Sequence, residues 1–177
     1  MFHKLGVKKI GTREIAASSL LGGLSALWEI IPGPPFDIPF PLYPRISWDI
    51  TGIPMMMALL LYGPLCAIYT CFIGCSIIFF RGNLPGGTLK LLAELATIIG
   101  YAIFRKSFIV DMAKATASRV IVMTVANYYL LQLFYRLAPN FVAGLLLPIA
   151  IFNVSQALIN IIPAYAIHVK IARQKIK

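Results

Sequence analysis

"FVAGLLLPIAIFNVSQALINIIPAYAIHV" (residues 141–169) decides the fold class of this chain. The stretch contains no Lys, Arg, Asp or Glu, and it exceeds the roughly 20 apolar residues that a transmembrane helix needs. Three side-chain amides, those of Asn153, Gln156 and Asn160, interrupt it at spacings of three and four residues. Residues so spaced share one face of an α-helix. The stretch therefore predicts a membrane helix with a polar stripe along one side.

The composition of the whole chain also indicates a membrane protein. Hydrophobic residues make up 59% of the 177 positions and charged residues 12%, with a mean hydropathy of +0.83. A soluble domain carries about a quarter charged residues. Six hydrophobic segments cover residues 13–31, 49–62, 64–80, 88–104, 117–136 and 141–169. We therefore expect residues 1–177 to form a single membrane domain, all-α and integral to the membrane, with six transmembrane helices over residues 13–169.

The connections between these segments are rich in proline, glycine or charge. Breaks are predicted at residues 32–45, 81–87, 105–119 and 137–140. The second segment is too short to cross a bilayer upright, which predicts tilt or a partly interfacial position. The N-terminal residues are basic but lack a small-residue cleavage site, so we expect the first span to be retained.

The distribution of Lys and Arg predicts the orientation. With both termini cytoplasmic, the inner segments would hold twelve of the sixteen basic residues: Lys4, Lys8, Lys9, Arg13, Arg105, Lys106, Lys114, Arg119, Lys170, Arg173, Lys175 and Lys177. This positive-inside pattern predicts a multi-pass protein of the cell (plasma) membrane, with basic cytoplasmic ends at 1–12 and 170–177 and a long outer loop between the first two helices. The net charge of +10 then serves topology, and nucleic acid is excluded as a partner.

No catalytic or metal-binding pattern stands out. Cys71 and Cys75 are four residues apart, but no His or acidic residue lies nearby, so they and Cys66 are predicted to be buried packing residues without a metal. His3 and His168 are predicted to lie at the membrane interface. We find no catalytic triad, zinc motif or phosphate-binding loop. The chain is therefore expected to be neither an enzyme nor a nucleotide hydrolase, and to need no cofactor.

The amides at membrane depth suggest a binding site. Asn127 lies in the fifth segment and would face the stripe of the sixth if the two helices are neighbours. Uncharged donors and acceptors suit a neutral, polar, planar solute, whereas ion pathways usually carry buried charges. Only three acidic residues come near: Glu29, Asp49 and Glu94. The alternative is that the amides merely tie helices together.

The loop at residues 32–49 is rich in proline and aromatic residues, including Phe36, Phe40, Tyr43 and Trp48. Proline favours an extended conformation. Such a loop would either cover a cavity opening and move as a gate, or form an ordered interfacial belt.

Three stretches resemble a known family: "WDITGIPMMMALLLYGP" (48–64), "MTVANYYLLQLFY" (123–135) and "LPIAIFNVSQALI" (147–159). Together they are similar, in order and spacing over residues 13–170, to the substrate-binding S components of energy-coupling factor (ECF) vitamin transporters, closest to the riboflavin-specific branch. The resemblance implies high-affinity binding of a vitamin from outside. It also implies a membrane T subunit and two cytoplasmic ATPase subunits as partners, with the S component toppling in the bilayer to release the vitamin inside.

The resemblance also implies the binding residues. Asn127 and Asn153 match ligand contacts of riboflavin binders, and the full predicted set is Asn127, Asn153, Gln156, Asp49, Trp48, Tyr43, Glu94 and Asn160. The family's Lys is replaced by Gln156 and its second Asp by Gly52, its third-helix Lys falls near Gly74, and its fourth-helix Asn falls near Glu94. Riboflavin is therefore the first expectation and another heterocyclic vitamin the alternative.

The first segment carries small residues at helical spacing: Ser18, Gly22 and Ala26. Small residues let a second helix approach closely. By resemblance this ladder would dock on the T subunit, and the alternative is packing within the chain. Two other protein classes stay open. One is a membrane enzyme acting on lipid, and the other is a structural or assembly-type membrane protein.

Overall fold

The structure, a computed structural model, describes residues 10–174. The predictions that concern the outermost residues therefore lie outside the described part of the chain: His3, Lys4, Lys8, Lys9, Lys175 and Lys177.

Six helices make up the fold, as the sequence predicted: α1 (Thr12–Ile30), α2 (Gly52–Tyr62), α3 (Pro64–Phe80), α4 (Leu84–Ala102), α5 (Phe108–Tyr135) and α6 (Pro139–Gln174). The loop between α1 and α2 contains two short antiparallel strands, β1 (Ile38–Pro39) and β2 (Ser47–Trp48), in which Ile38 pairs with Trp48. By length and composition alone, α6 is the one helix of the described residues that meets the requirement for a membrane span. The helices α2 and α3 are apolar but shorter.

The chain turns where special backbone conformations permit it. Gly63, between α2 and α3, has a φ of 98°, a left-handed conformation that glycine adopts without steric cost, and Pro64 then opens α3. Asn83 caps α4, because its side-chain oxygen accepts a hydrogen bond from the Gly86 N–H at 3.0 Å.

The predicted break at residues 105–119 is wrong, since α5 already begins at Phe108. The breaks were predicted from proline and glycine, yet residues 108–119 contain neither residue to interrupt a helix. The Asp111 carboxylate lies in the first turn, accepts the Lys106 N–H at 3.1 Å and pairs with Lys114 at 2.8 Å. A negative charge at this end of a helix is favourable, so the polar residues start α5 instead of ending α4.

The short helix α2 lies in the middle of the bundle. Eight of its 11 residues are buried, and it packs against α1, α3, α4 and α6. The outer helices meet in the pairs α1–α3, α4–α5 and α5–α6. Large apolar side chains also cover the outside, since Leu20 is 77% exposed and Leu133 and Leu147 are each 70% exposed. This arrangement suits a bundle that lipid surrounds.

The small residues of α1 pack inside the chain. Ser18 and Gly22 are buried against α3, where the Thr70 hydroxyl donates to the Ser18 carbonyl at 3.1 Å. A Cβ on Gly22 would lie 2.7 Å from the Cβ of Ile73. Ala26 is only partly buried. The contacts of Ser18 and Gly22 with α3 are those of the alternative, packing within the chain.

Candidate solute-binding site

A cavity of about 630 Å³ lies at the end of the bundle that carries the 32–49 loop. Its walls come from this loop and from the ends of α1, α3, α4, α5 and α6 that meet there. Pockets for small molecules commonly measure about 300–1,000 Å³. The cavity is therefore large enough for a molecule the size of a vitamin.

Four of the eight predicted ligand-binding residues line this cavity: Tyr43, Asp49, Asn127 and Asn153. The other four do not line it: Trp48, Glu94, Gln156 and Asn160. Asn127 and Asn153 come from neighbouring helices and face the same space, as the sequence suggested. Each also donates a hydrogen bond to a carbonyl of its own helix, Asn127 to Met123 at 2.7 Å and Asn153 to Ile149 at 2.8 Å.

The remaining wall is partly apolar and partly charged. The apolar side chains come from the loop, α4, α5 and α6: Ile46, Leu89, Met123, Leu131, Ile149 and Phe152. The further charged lining residues are Glu29, Asp37, Arg45, Arg81 and Lys90. Apolar walls with a few placed polar groups are typical of small-molecule sites.

Lys90 holds together the part of the site nearest the loop. Its ammonium binds Asp49 at 3.0 Å and also pairs with Glu29, so it joins α4 to α1 and to the segment that enters α2. Burial alone would raise the pKa of the Asp49 carboxyl, but the charge of Lys90 and hydrogen bonds from Thr51 and Lys90 outweigh burial and lower this pKa. Lys90 is not among the twelve basic residues of the inner segments, and its contact with Glu29 and Asp49 was not predicted, because only the fold brings the three residues together.

Gln156 and Asn160 carry polar contacts from this region into the bundle. The Gln156 side chain donates to the Asp49 carbonyl at 2.7 Å and to the Asn160 side chain at 3.3 Å. Asn160 in turn donates to the Glu94 carboxylate at 3.3 Å. These amides tie helices together behind the cavity wall, which was the alternative interpretation of the stripe.

Arg119 and Glu94 form a buried ion pair at 2.8 Å. Only 3% of the surface of Arg119 and 1% of that of Glu94 is exposed. Arg119 also donates to Asn153 at 3.1 Å and to Thr97 at 3.2 Å, and it lines the cavity. Its predicted place in a cytoplasmic loop is therefore wrong. The predicted site residues did not include Arg119, although its buried guanidinium reaches this space. A spacing of four residues connects Arg119, Met123 and Asn127 on one face of α5, and this periodicity was the available signal.

Gly52 leaves room for this network. A Cβ at Gly52 would overlap the Asn160 amide and lie 2.8 Å from the Glu94 carboxylate. The resemblance led us to expect an acidic residue at position 52 and an amide near position 94. In this chain the buried carboxylate of this region comes from Glu94 of α4.

Aromatic contacts fix the 32–49 loop on α6. Phe40 is only 3% exposed and packs between the rings of Trp48 and Phe152, at centroid distances of 5.1 and 5.5 Å. The Trp48 indole N–H donates to the Ser155 hydroxyl at 2.8 Å. Trp48 therefore anchors the loop, while Tyr43 from the same loop faces the cavity.

The cysteines are buried in α3, as predicted: Cys66, Cys71 and Cys75. Between residues 10 and 174, no group of three or more His, Cys, Asp or Glu side chains is arranged to hold a metal ion.

One end of the helical bundle encloses a cavity lined by amides, a guanidinium and apolar side chains. Such an arrangement is typical of proteins that bind a small solute. Residues 13–168 match the family described as "ECF transporter, substrate-specific component", and the chain belongs to this family. Its members are membrane-embedded proteins of transport that bind a substrate, and they are not enzymes.

A comparison of structures agrees with this assignment. The chain is similar to the S component of a bacterial ECF transporter, with a TM-score of 0.75 over 93% of this chain and 98% of that chain. Sequence identity to it is 19%, so the similarity is one of fold. No individually curated protein matches this sequence significantly.

Proposed function

We propose that this chain binds a heterocyclic vitamin in the cavity at its loop end, with riboflavin as the first candidate. The observation that carries the proposal is that Asn127 and Asn153 face one space of about 630 Å³ between apolar walls. Amide groups match the donors and acceptors on the edge of a heterocycle, and the apolar walls match its faces.

The departures from the riboflavin-specific pattern make other heterocyclic vitamins the second candidate. Gln156, which replaces a lysine, is turned toward the backbone of Asp49 and away from the cavity. Arg119 supplies a cationic group from α5 instead. The positive charge in the site is therefore differently placed, and selectivity for the vitamin would differ with it.

Orientation and partners complete the proposal. The described basic residues at the end opposite the 32–49 loop are Arg13, Arg105, Lys106, Lys114, Lys170 and Arg173. By the positive-inside rule this end faces the cytoplasm, so the cavity opens outward in a multi-pass protein of the plasma membrane. A membrane T subunit and two cytoplasmic ATPases would supply the energy for inward release, since family membership makes this chain the substrate-binding part alone.

Calorimetry on the purified protein in detergent tests the proposal. The panel contains the heterocyclic vitamins riboflavin, thiamine, biotin, pyridoxine, nicotinamide and nicotinate. We expect one vitamin to bind tightly, and Asn127→Ala to weaken its binding by about 10-fold or more, the equivalent of about 1.4 kcal/mol. Asn127 is the preferred test because its one hydrogen bond joins it to its own helix, so the fold should survive.

Asn140→Ala is the matched control, because Asn140 is exposed in the first turn of α6 and does not line the cavity. This variant should bind as the wild type does. If well-folded wild type bound none of the six vitamins, the proposed function would fail.

A further inference from the structure

One nitrogen of the Arg119 guanidinium, Nη2, has no hydrogen-bond partner among the described residues. Its Nε donates to Asn153 at 3.1 Å, and its Nη1 donates to Glu94 at 2.8 Å and to Thr97 at 3.2 Å. Within residues 10–174, Nη2 makes no hydrogen bond, although Arg119 is 97% buried and lines the cavity. Since the other two nitrogens fix the plane of the group, the free N–H groups have a fixed direction.

Arg119 lies at the inner end of the site, farthest from the 32–49 loop along α5. It lies 16 residues before Tyr135, where α5 ends near the loop, which corresponds to roughly 24 Å along the helix axis. Asn127 lies halfway, roughly 12 Å from Arg119, on the same face of α5. A solute that enters from the loop end passes Asn127 first and meets Arg119 last.

Charge decides which group Arg119 can accept as a partner. Glu94 already neutralises it, and both residues are nearly inaccessible to solvent. An anion at Nη2 would add a second negative charge to a buried pair that needs none, and a buried excess charge is strongly unfavourable. Lys90 cannot compensate, because Glu29 and Asp49 occupy it. Two further cations line the cavity, but Arg45 comes from the loop and Arg81 from the residue after α3, both at the loop end and not at the inner end. The arrangement favours an acceptor without charge.

Asn127 offers the opposite chemistry. Its Nδ2 donates to the Met123 carbonyl at 2.7 Å, whereas its Oδ1 makes no hydrogen bond among the described residues and can accept one from a solute. The wall formed by α5 thus presents a donor at depth and an acceptor nearer the loop, with Met123 between them.

We propose that Arg119 is a specificity-determining residue that donates from Nη2 to an uncharged carbonyl oxygen at the inner end of the solute, while Asn127 accepts an N–H or O–H group farther out. This inference rests on the proposed function and adds the chemistry that the solute must carry. Solutes that present a carboxylate or a phosphate at the inner end are disfavoured.

Arg119→Lys tests the role of Arg119 directly. Lysine keeps the positive charge beside Glu94 but lacks the planar fork, so it cannot serve Glu94 and the solute together. The probe is whichever of the six named vitamins the wild type binds most tightly. We expect its dissociation constant to rise about 10-fold or more while the protein remains folded. Arg173→Lys, a substitution at an exposed position of α6, should leave the constant unchanged.

Glu94→Gln tests the charge of the acceptor. This change leaves Arg119 without a negative partner, so an anionic group on the vitamin would bind more tightly and a neutral carbonyl would not. We expect Glu94→Gln to bind the same vitamin with an affinity equal to or lower than that of the wild type. A gain of about 10-fold would overturn the uncharged acceptor.

Unchanged affinity in folded Arg119→Lys would overturn the role of Arg119 while leaving the proposed vitamin binding intact. If Arg119→Lys fails to fold, the double variant Glu94→Gln, Arg119→Gln replaces the ion pair by two amides and removes the same donor. It should show the same loss of affinity, and unchanged affinity there also overturns the inference. Failure of the wild type to bind any vitamin overturns the proposed function and this inference with it.

Discussion

The side-chain amide of Gln156 binds the backbone of Asp49 in both directions. Its Nε2 donates to the Asp49 carbonyl at 2.7 Å, and its Oε1 accepts the Asp49 N–H at 3.2 Å. A lysine at this position could donate but could not accept. Gln156 therefore ties α6 to the segment that enters α2.

Gln156→Lys should destabilise the protein. It removes the acceptor of the Asp49 N–H and places a charge beside Asn160 in a buried region, where Gln156 is 1% exposed. An unsatisfied buried donor costs about 1–3 kcal/mol, so the melting temperature in detergent should fall. Gln132→Lys is the control, because Gln132 bonds only to a carbonyl of its own helix. Equal melting temperatures for the two variants would contradict the structural role of Gln156.

Glu94→Ala should be the most destabilising of the single substitutions considered. It leaves Arg119 buried without its carboxylate and removes the acceptor of Asn160. Breaking a buried ion pair by removing one partner costs about 3–5 kcal/mol. Glu14→Ala removes an exposed carboxylate from the first turn of α1 and should cost about 1 kcal/mol or less. Denaturant unfolding followed by circular dichroism compares the two, and similar midpoints would argue against the buried pair.

Lys90→Met should loosen the loop end of the cavity. The variant leaves the carboxylates of Glu29 and Asp49 side by side without the cation that joins them. Ion pairs of partly exposed residues contribute about 0.2–1 kcal/mol, so opening of the 32–48 segment should become more frequent by up to about five-fold. Hydrogen–deuterium exchange measures this directly. Lys170→Met, at the opposite end, should leave exchange in the segment unchanged, and the same result for Lys90→Met would show that the contact does not hold the loop.

Gly22→Ala and Gly23→Ala form a matched pair on α1. A Cβ at Gly22 would meet Ile73 of α3 at 2.7 Å, whereas a Cβ at Gly23 would meet nothing within 4 Å. Overpacking costs about 1–3 kcal/mol, while alanine in place of an exposed helical glycine gains up to about 1 kcal/mol. The melting temperature should therefore fall for Gly22→Ala and stay or rise for Gly23→Ala. A higher melting temperature for Gly22→Ala than for Gly23→Ala would contradict packing of Gly22 against α3 and would favour a partner-docking role for Ser18, Gly22 and Ala26.

Helix number and order followed from the sequence because apolar runs and the turn residues at Gly63 and Pro64 are local signals. The boundary at residues 105–119 did not, because residues 108–119 hold no proline or glycine and are already part of α5. The burial of Arg119 was not predicted, because a charged residue was assigned to a cytoplasmic segment. Only the tertiary structure shows that Glu94 is its buried partner.

The candidate site divides in the same way. The sequence predicted that Asn127 would face the stripe containing Asn153 if the fifth and sixth helices are neighbours. They are neighbours, and both residues line the cavity. The sequence also grouped Gln156 and Asn160 with them, because residues three and four apart share a helical face. One face of a helix can contact more than one neighbour, however. Gln156 and Asn160 lie on the part of α6 that faces the start of α2 and α4, where Gln156 bonds to Asp49 and Asn160 to Glu94.

By itself, the sequence determined that this is a helical membrane-type bundle with amides at depth, since hydropathy and periodicity act within a single segment. Only the tertiary structure decided which polar groups meet a solute and which satisfy one another. Lys90, Glu29 and Asp49 are far apart in the chain, as are Arg119 and Glu94, and a buried charge is stable only where packing brings its partner within hydrogen-bonding distance.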